Sequence, residues 1–318
     1  MLVGIELVSP VFKVFPGSVW RQHVVATWSY LNKVYHIKGN LCCATHVHIS
    51  LDPWYTLSEL IKIAQAIMHF EPAVTALIPT ERRNSRFAKS NWLDSPFLGG
   101  RNLSRAKAIA CIGRITEPRA FIPVMQAFDD RNYAWNFVSL MDKKTIEFRL
   151  APASTTADEV LAWTELVIEF VQSAVNCGSV EDLTRMPANV GGLRGFLKRY
   201  SEPSLSEPQR LRTLWQRSDP EAAVQPEPSR ELLPGMRRVP RDVLCARRLV
   251  ERDEEILQIL NAEGLIEPAR VVKSSTDSPQ AAPGHVELPS LFYAEKDSLG
   301  RRRTLKLKGA PFSYPEDL

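Results

Sequence analysis

The feature that most constrains this chain is the short stretch Thr45–Ser50, which carries two histidines two residues apart. Its β-branched residues favour an extended strand. In a strand, residues two apart point to the same face, so His46 and His48 are expected to lie together while Val47 and Ile49 face a core. Two adjacent imidazoles can bind a metal ion, hold a phosphate or transfer a proton, or they can be hydrogen-bonded within a purely structural strand. The pair therefore predicts a sheet and leaves its role to the rest of the chain.

The overall composition is that of a globular protein. The 318 residues are 44% hydrophobic and 24% charged, and the formal net charge of +4 is mild. No basic-plus-aromatic pattern typical of nucleic-acid binding occurs, and no uncharged apolar run reaches membrane-spanning length. The five cysteines have no CxxC spacing, so neither a zinc knuckle nor a disulfide framework is indicated. With no signal-peptide pattern at the N-terminus, we expect a soluble cytoplasmic protein that binds neither nucleic acid nor membranes.

Hydrophobic spacing predicts alternating helices and strands. Helices are expected over 19–35, 57–78, 102–113 and 117–128 and in the segment that Thr156 caps. The second of these opens with the capping-box pattern Thr56–Glu59. Strands are expected at Leu2–Val8, Leu41–Ser50, Tyr133–Leu140 and Thr145–Leu150, and the last two would form an antiparallel hairpin. The fold class predicted is α+β, a curved antiparallel sheet with helices packed on one face.

Charged residues interrupt two of these strands. Glu6 lies within the first, where it needs a partner if it is buried and none if the strand turns that face to water. Glu147 and Arg149 share one face of the last strand, as either a surface salt bridge or part of a site. Together with the histidine pair, these residues suggest one sheet with a functional face. Carboxylates beside an imidazole suit Mg²⁺ or Mn²⁺, with phosphate completing the ligand shell.

A cluster of arginines lies in the predicted loop after the second helix. Arg82, Arg83 and Arg86 fall within five residues. Such a cluster is commonly a solvated surface, but guanidinium groups also bind carboxylate or phosphate in a bidentate manner. Arginines near a metal would neutralise a transferring phosphoryl group.

Several short blocks resemble one known family. They are Gly4–Pro10, Thr45–His48, Pro79–Asn84, Asn136 and Thr145–Arg149. In this order and approximate spacing, over about residues 1–175, they resemble the amidoligase family in its fungal form, which is related to glutamine synthetase and glutamate–cysteine ligase. The resemblance implies a glutamine-synthetase-like fold and an ATP- and Mg²⁺-dependent (or Mn²⁺-dependent) carboxylate–amine ligase. Such an enzyme would activate a small-molecule or peptide carboxylate as an acyl phosphate, which an amine then attacks.

The resemblance also implies roles for individual residues. The metal ligands would be Glu6, His46 and Glu147; the nucleotide contacts would be His48, Asn84 and Asn136; the phosphate- or substrate-binding catalytic residues would be Arg149 and Arg83. Arg83 is the first choice among the three loop arginines, and the spacing alone does not separate it from Arg82 or Arg86.

This chain departs from the family pattern at its start. Family members carry an earlier G-x-E-x-E strand and a W-x-V-x-x-D-x-S segment, and the sequence begins after both. Two metal carboxylates are therefore expected to be missing, so an inactive relative that binds a ligand or partner is an alternative. A metal-dependent hydrolase using His46, His48, Glu6 and an activated water is a second alternative. The arginines favour phosphate chemistry over hydrolysis.

Composition also predicts the domain organisation. The amidoligase-like domain is expected over 1–200, followed by a Pro-rich linker at 201–240 and a charged helix at 241–264. Residues 265–318 are expected to form a mostly disordered basic tail, because proline, serine and charged residues dominate over apolar ones.

Overall fold

The computed structural model describes residues 6–202, 208–227, 294–296 and 302–304, the last two ranges by their backbone alone. The helices are α1 (Trp20–Val34), α2 (Leu57–Leu77), α3 (Arg105–Ile112), α4 (Pro118–Met125), α5 (Ser139–Asp142), α6 (Ala157–Asn176), α7 (Val180–Thr184), α8 (Val190–Tyr200) and α9 (Pro208–Trp215). The strands are β1 (Val47–Ile49), β2 (Trp135–Asn136), β3 (Ile146–Phe148), β4 (Ala294–Lys296) and β5 (Arg302–Thr304). The prediction of mixed helices with a small antiparallel sheet is confirmed. The glutamine-synthetase-like arrangement stays a prediction.

Helix α2 forms the centre of the domain. It begins with the predicted capping box, in which the Glu59 backbone N–H donates to Thr56 Oγ1 at 3.2 Å and the Thr56 N–H donates to Glu59 Oε2 at 2.7 Å. Every residue from Ile63 to Leu77 is buried. A helix that is apolar on most sides needs neighbours all round, and α2 packs against α3, α6, α7 and α8. The helix ends at Leu77 with Ile78 as its C-cap, in agreement with the end predicted at residue 78, and Pro79 follows.

The main sheet has three strands in the order β1–β3–β2, and both pairs are antiparallel. Ile146 and Phe148 of β3 are completely buried. Phe148 contacts Trp163 of α6, with 6.3 Å between the ring centroids, and Trp135 of β2 lies 5.1 Å from Phe170 of the same helix. One face of the sheet is therefore held on the helical core by aromatic packing, and alternation directs Glu147 to the opposite face.

Three predicted strands differ from the structure. The histidine strand was predicted over Leu41–Ser50, whereas β1 covers only Val47–Ile49. Glu6, Leu7 and Val8 belong to no strand and are exposed, and residues 1–5 lie outside the described part of the chain. An apolar run forms a strand only where another strand supplies backbone partners, and none of the described segments pairs with these residues. The prediction of a strand over Tyr133–Leu140 was also too long. Only Trp135–Asn136 pair with β3, and α5 follows at once.

Part of the predicted linker is folded onto the domain. Leu211 and Leu214 of α9 are buried in the main core, and Val224 packs against that core. The composition of residues 201–240 indicated disorder because prolines and charges are frequent, but a few well-placed apolar side chains suffice to anchor 208–227. The predicted helix at 241–264 lies outside the described residues. Within the predicted tail, β4 pairs with β5 in antiparallel register, Ala294 opposite Thr304.

Candidate active site

The strand register brings predicted site residues together on the open face of the sheet. His48 of β1 and Asn136 of β2 both lie opposite Glu147, which is in the central strand β3. Because the side-chain period of a strand is two, His46 and Arg149 lie on the same face one step further along. Five of the eight predicted site residues therefore meet around one carboxylate.

Glu147 is the centre of this cluster. The Arg149 guanidinium donates from Nη1 to Glu147 Oε1 at 2.6 Å, and Asn136 donates from Nδ2 to Oε2 at 2.7 Å. His46 Nδ1 and His48 Nε2 lie 3.3 and 3.5 Å from Oε1. Burial raises the pKa of Glu147, but hydrogen bonds from His48 and Asn136 and the charge of Arg149 outweigh it and bring the pKa to about 2. The carboxylate is therefore ionised at neutral pH.

The two histidines form the solvent-facing side of the site. Their side chains are 34% and 31% exposed, whereas the Glu147 side chain is 7% exposed. Burial, with the nearby Arg149 charge, lowers the pKa of His46 to about 4 even though Glu147 raises it. His46 is therefore neutral at pH 7 and keeps a ring nitrogen lone pair for a ligand. A small cluster accessible from solvent thus sits over a buried anion.

Hydrogen bonds fix the orientation of the surrounding side chains. His48 Nδ1 lies 2.9 Å from Thr145 Oγ1 and 3.3 Å from Ser139 Oγ, and the two hydroxyls are 2.9 Å apart. Asn136 Oδ1 accepts from Gln126 Nε2 at 3.1 Å. This second contact leaves the Asn136 amide nitrogen to face Glu147. Gln126, Ser139 and Thr145, which lie outside the predicted site, therefore hold the site side chains in one arrangement.

Three predicted site residues do not join this cluster. Glu6 is exposed, outside the sheet. Arg83 donates from Nε to the Ile78 carbonyl at 2.9 Å, so it closes the C-terminal end of α2. Asn84 donates from Nδ2 to Glu227 Oε2 at 2.8 Å. Their predicted roles in metal, substrate and nucleotide binding stay predictions, and the structure gives Arg83 and Asn84 other contacts.

Arg82 is the residue whose importance the sequence did not indicate. Its guanidinium is buried and donates to the carbonyl oxygens of Arg149, Leu150 and Ala151, each at 3.1 Å. These bonds hold the end of β3, and so place Arg149. Within a run of arginines no sequence signal separates the buried member from its neighbours. Thr145 also supports the site, through its contact with His48. Unlike Arg82, it could be anticipated from the sequence, because strand alternation places it on the same face as Glu147.

The donor atoms around Glu147 set limits on a metal ion. Among the described residues, no group of three or more His, Cys, Asp or Glu side chains is arranged to hold one. Both Glu147 oxygens already accept hydrogen bonds. One carboxylate and a neutral imidazole do not make a closed metal centre. They are compatible with an Mg²⁺ ion that keeps water and substrate phosphate as its other ligands.

The fold and the cluster define a class of protein: a mixed helix–sheet domain whose sheet presents a carboxylate, a guanidinium and two imidazoles on one face. The family comparison makes this specific. The family model described as "Putative amidoligase enzyme" matches residues 1–171, more than half of the chain, and the chain belongs to this family. The resemblance that the short sequence blocks carry is thereby confirmed.

Other comparisons add no relatives. Neither a curated protein nor a solved structure shows a significant match to the chain. In the part of the chain that the structure describes, no helix has the length and apolar character to cross a membrane. The family description names a ligase, and the substrates and cofactors of this chain are not part of it.

Proposed function

We propose that this chain is an ATP- and Mg²⁺-dependent carboxylate–amine ligase that acts through an acyl-phosphate intermediate. The observation that carries the proposal is the union of Glu147, Arg149, His46, His48 and Asn136 on one sheet face in a member of the amidoligase family. A reaction between two anions, a carboxylate and ATP, needs positive charge and ordered donors near the transferring group. Arg149 and the imidazole N–H groups can supply both.

Each residue then has a definite task. Glu147 would hold the divalent ion with His46, and that ion would offset negative charge on the ATP phosphates. Arg149, kept in place by its bond to Glu147 and by Nε donating to the Phe87 carbonyl at 3.3 Å, would bind the phosphate or the acyl oxygen. His48, oriented by Thr145, would donate to the nucleotide. Asn136 would keep the carboxylate turned toward the open face.

One observation favours a second candidate, a non-catalytic binding protein. Arg149 lies 2.6 Å from Glu147 Oε1, where a metal ion would bind, and Glu6 is away from the cluster. In that case the same face would bind an anionic ligand through Arg149 and the histidines, with no phosphoryl transfer. The two candidates differ in whether ATP is consumed.

The test is ADP release from ATP and Mg²⁺, measured with a panel of carboxylate and amine pairs. The ligase proposal expects turnover that requires both organic substrates and falls at least about 100-fold in Glu147→Gln and His46→Ala. The matched controls are Glu117→Gln and His36→Ala, which change exposed residues of the same types and are expected to retain activity.

Two readouts separate the outcomes. A fluorescent ATP analogue measures binding independently of turnover. If the ATP analogue binds in a manner that depends on Arg149, and no carboxylate–amine pair of the panel gives ADP release, the non-catalytic candidate is supported. Full turnover in folded Glu147→Gln would show that the site lies elsewhere.

A further inference from the structure

Residues 219–227 follow α9 and pack across helices α8 and α2. We call this segment the C-terminal arm. Its backbone is bound to the domain at three points. The Pro220 carbonyl accepts from the Gly191 N–H at 2.6 Å, the Ala222 carbonyl accepts from the Val190 N–H at 3.0 Å, and the Val224 N–H donates to the Pro72 carbonyl at 3.0 Å. Its end reaches the loop that follows α2, where Asn84 binds the Glu227 carboxylate. The arm therefore connects the end of the described domain to that loop.

Two side chains of the domain also bind the arm. Asn189 Nδ2 donates to Glu221 Oε2 at 2.9 Å. Arg105 supplies the second contact, nearer the end of the arm. Its Nη2 donates to Gln225 Oε1 at 2.6 Å, and the guanidinium stacks over Trp92 with 5.0 Å to the ring centroid. Its Nε, however, is buried and has no hydrogen-bond partner. A buried donor without a partner costs free energy, so this arrangement leaves Arg105 only partly satisfied.

Glu71, on α2 beneath the arm, has the complementary deficiency. The side chain is 8% exposed, and its Oε2 is buried without a hydrogen-bond partner. It lines a small cavity whose wall includes Pro226 and Glu227 of the arm. The buried acceptor of Glu71 and the buried donor of Arg105 are both without a hydrogen-bond partner, and the charge of each group shifts the pKa of the other. Pairing them would remove both deficiencies at once.

We propose that Arg105 exchanges partners: it holds Gln225 and keeps the arm closed while Glu71 is neutral, and it turns to Glu71 and releases the arm when Glu71 ionises. Rotation of the long Arg105 side chain would make the exchange, since its guanidinium carries donors on all three nitrogens. The arm would then leave the cavity, and Asn84 would lose its contact with Glu227.

Other charged groups around Glu71 act in the same sense. The negative groups are Asp94, whose charge raises the Glu71 pKa, and Glu227, which lines the cavity. An ionised Glu71 would therefore repel the end of the arm. The positive groups in the region have other contacts: Lys89 pairs with Asp130 at 2.6 Å, Arg83 binds carbonyl oxygens of α2, and His69 on α2 lies 2.8 Å from the Met186 carbonyl.

The direction of the pH response follows from the closed state. Burial, opposed by hydrogen bonds from Ser90 and Asn91 and by the Arg105 charge, raises the Glu71 pKa to about 7. Opening admits water and brings Arg105 to the carboxylate, which returns the pKa toward 4.5. Ionisation of an acid whose pKa is raised in the closed state disfavours that state progressively between pH 4.5 and 7, and the effect levels off about one pH unit above 7. A full return corresponds to an opening constant about 140-fold larger at pH 8 than at pH 4.5.

Hydrogen–deuterium exchange of the full chain tests this inference without any substrate. After correction for the intrinsic pH dependence of exchange, wild-type amides of residues 219–227 should exchange at least about 10-fold faster at pH 8 than at pH 5, while α6 should not respond. In the isosteric Glu71→Gln variant the arm should be protected equally at both values, and the control Glu117→Gln should behave as wild type. Gln225→Ala should expose the arm at both values.

Three results would overturn the exchange of partners. They are an arm with equal corrected exchange at the two pH values in the wild type, a pH response that survives in folded Glu71→Gln, and an arm as well protected in Gln225→Ala as in the wild type at pH 5. None of these readouts depends on ligase activity. The experiment therefore tests the exchange of partners independently of the proposed function.

Discussion

Replacing Glu147 by Gln tests how much the site carboxylate contributes to stability. The pKa of Glu147 is about 2, against an ordinary value of 4.5. The difference of about 2.5 units corresponds to about 3 kcal/mol of stabilisation of the ionised form in the folded protein. Gln has the shape of the protonated acid, so the variant should lack that stabilisation. We therefore expect Glu147→Gln to lower the free energy of unfolding by about 3 kcal/mol at pH 7.

The pH dependence gives this prediction its sharper form. A carboxylate with a depressed folded-state pKa contributes its full stabilisation above pH 4.5 and loses it as the pH falls toward 2. At pH 3 the unfolded state is mostly protonated and the folded state mostly ionised, so about 1 kcal/mol should remain. The gap between wild type and variant should thus shrink by about 2 kcal/mol from pH 7 to pH 3.

Urea unfolding monitored by tryptophan fluorescence at both pH values measures this gap. Titrating groups that do not contact Glu147 contribute equally to both proteins and cancel in the difference, and a His46→Ala background removes the contribution of the histidine whose pKa Glu147 raises. Glu117→Gln serves as the control for an exposed carboxylate. A gap that is the same at pH 7 and pH 3, or that widens in acid, would refute the claim that Arg149, Asn136 and the histidines favour the ionised form.

Three further predictions concern the scaffold of the site. Thr56→Ala removes the α2 capping box and should cost about 1 kcal/mol by urea unfolding, with Thr56→Ser close to wild type. Arg82→Lys cannot reproduce the fork of bonds to the end of β3; we expect a loss of about 2–3 kcal/mol, and an unchanged midpoint would contradict it. Leu214 of α9 is buried in the core, so Leu214→Ala should lower the free energy of unfolding by about 2–5 kcal/mol, measured by calorimetry. In the same measurement, Val34→Ala at an exposed position should lower it by less than about 0.5 kcal/mol.

The sequence predicted the parts of this protein that local chemistry determines. Thr56 and Glu59 identified the start of α2, and Pro79 identified its end, because caps and prolines act within a few residues. Strand alternation placed His46 with His48 and Glu147 with Arg149. Short-range periodicity therefore indicated both halves of the candidate site before any tertiary contact was known.

Long-range contacts decided what the sequence did not. Leu7 and Val8 are as apolar as a buried strand, yet they are exposed because pairing depends on a neighbouring strand. Residues 208–227 have the composition of a linker, but Leu211 and Leu214 reach the core from it. In both cases the same local pattern is compatible with two environments, and only the rest of the fold distinguishes them.

The arginine loop shows the same limit within the site itself. Arg82 and Arg83 are chemically identical neighbours, and both direct their guanidinium groups to backbone carbonyls, one at the end of β3 and the other at the end of α2. Anion binding through Arg83 would require it to leave the carbonyl of Ile78 and expose the end of α2. The Arg149 side chain is only 8% exposed and is bonded to Glu147 and the Phe87 carbonyl, but it lies beside the solvent-facing histidines and its bonds do not close the end of a helix. The physical cost therefore favours Arg149 over Arg83 as the residue that binds phosphate or substrate first.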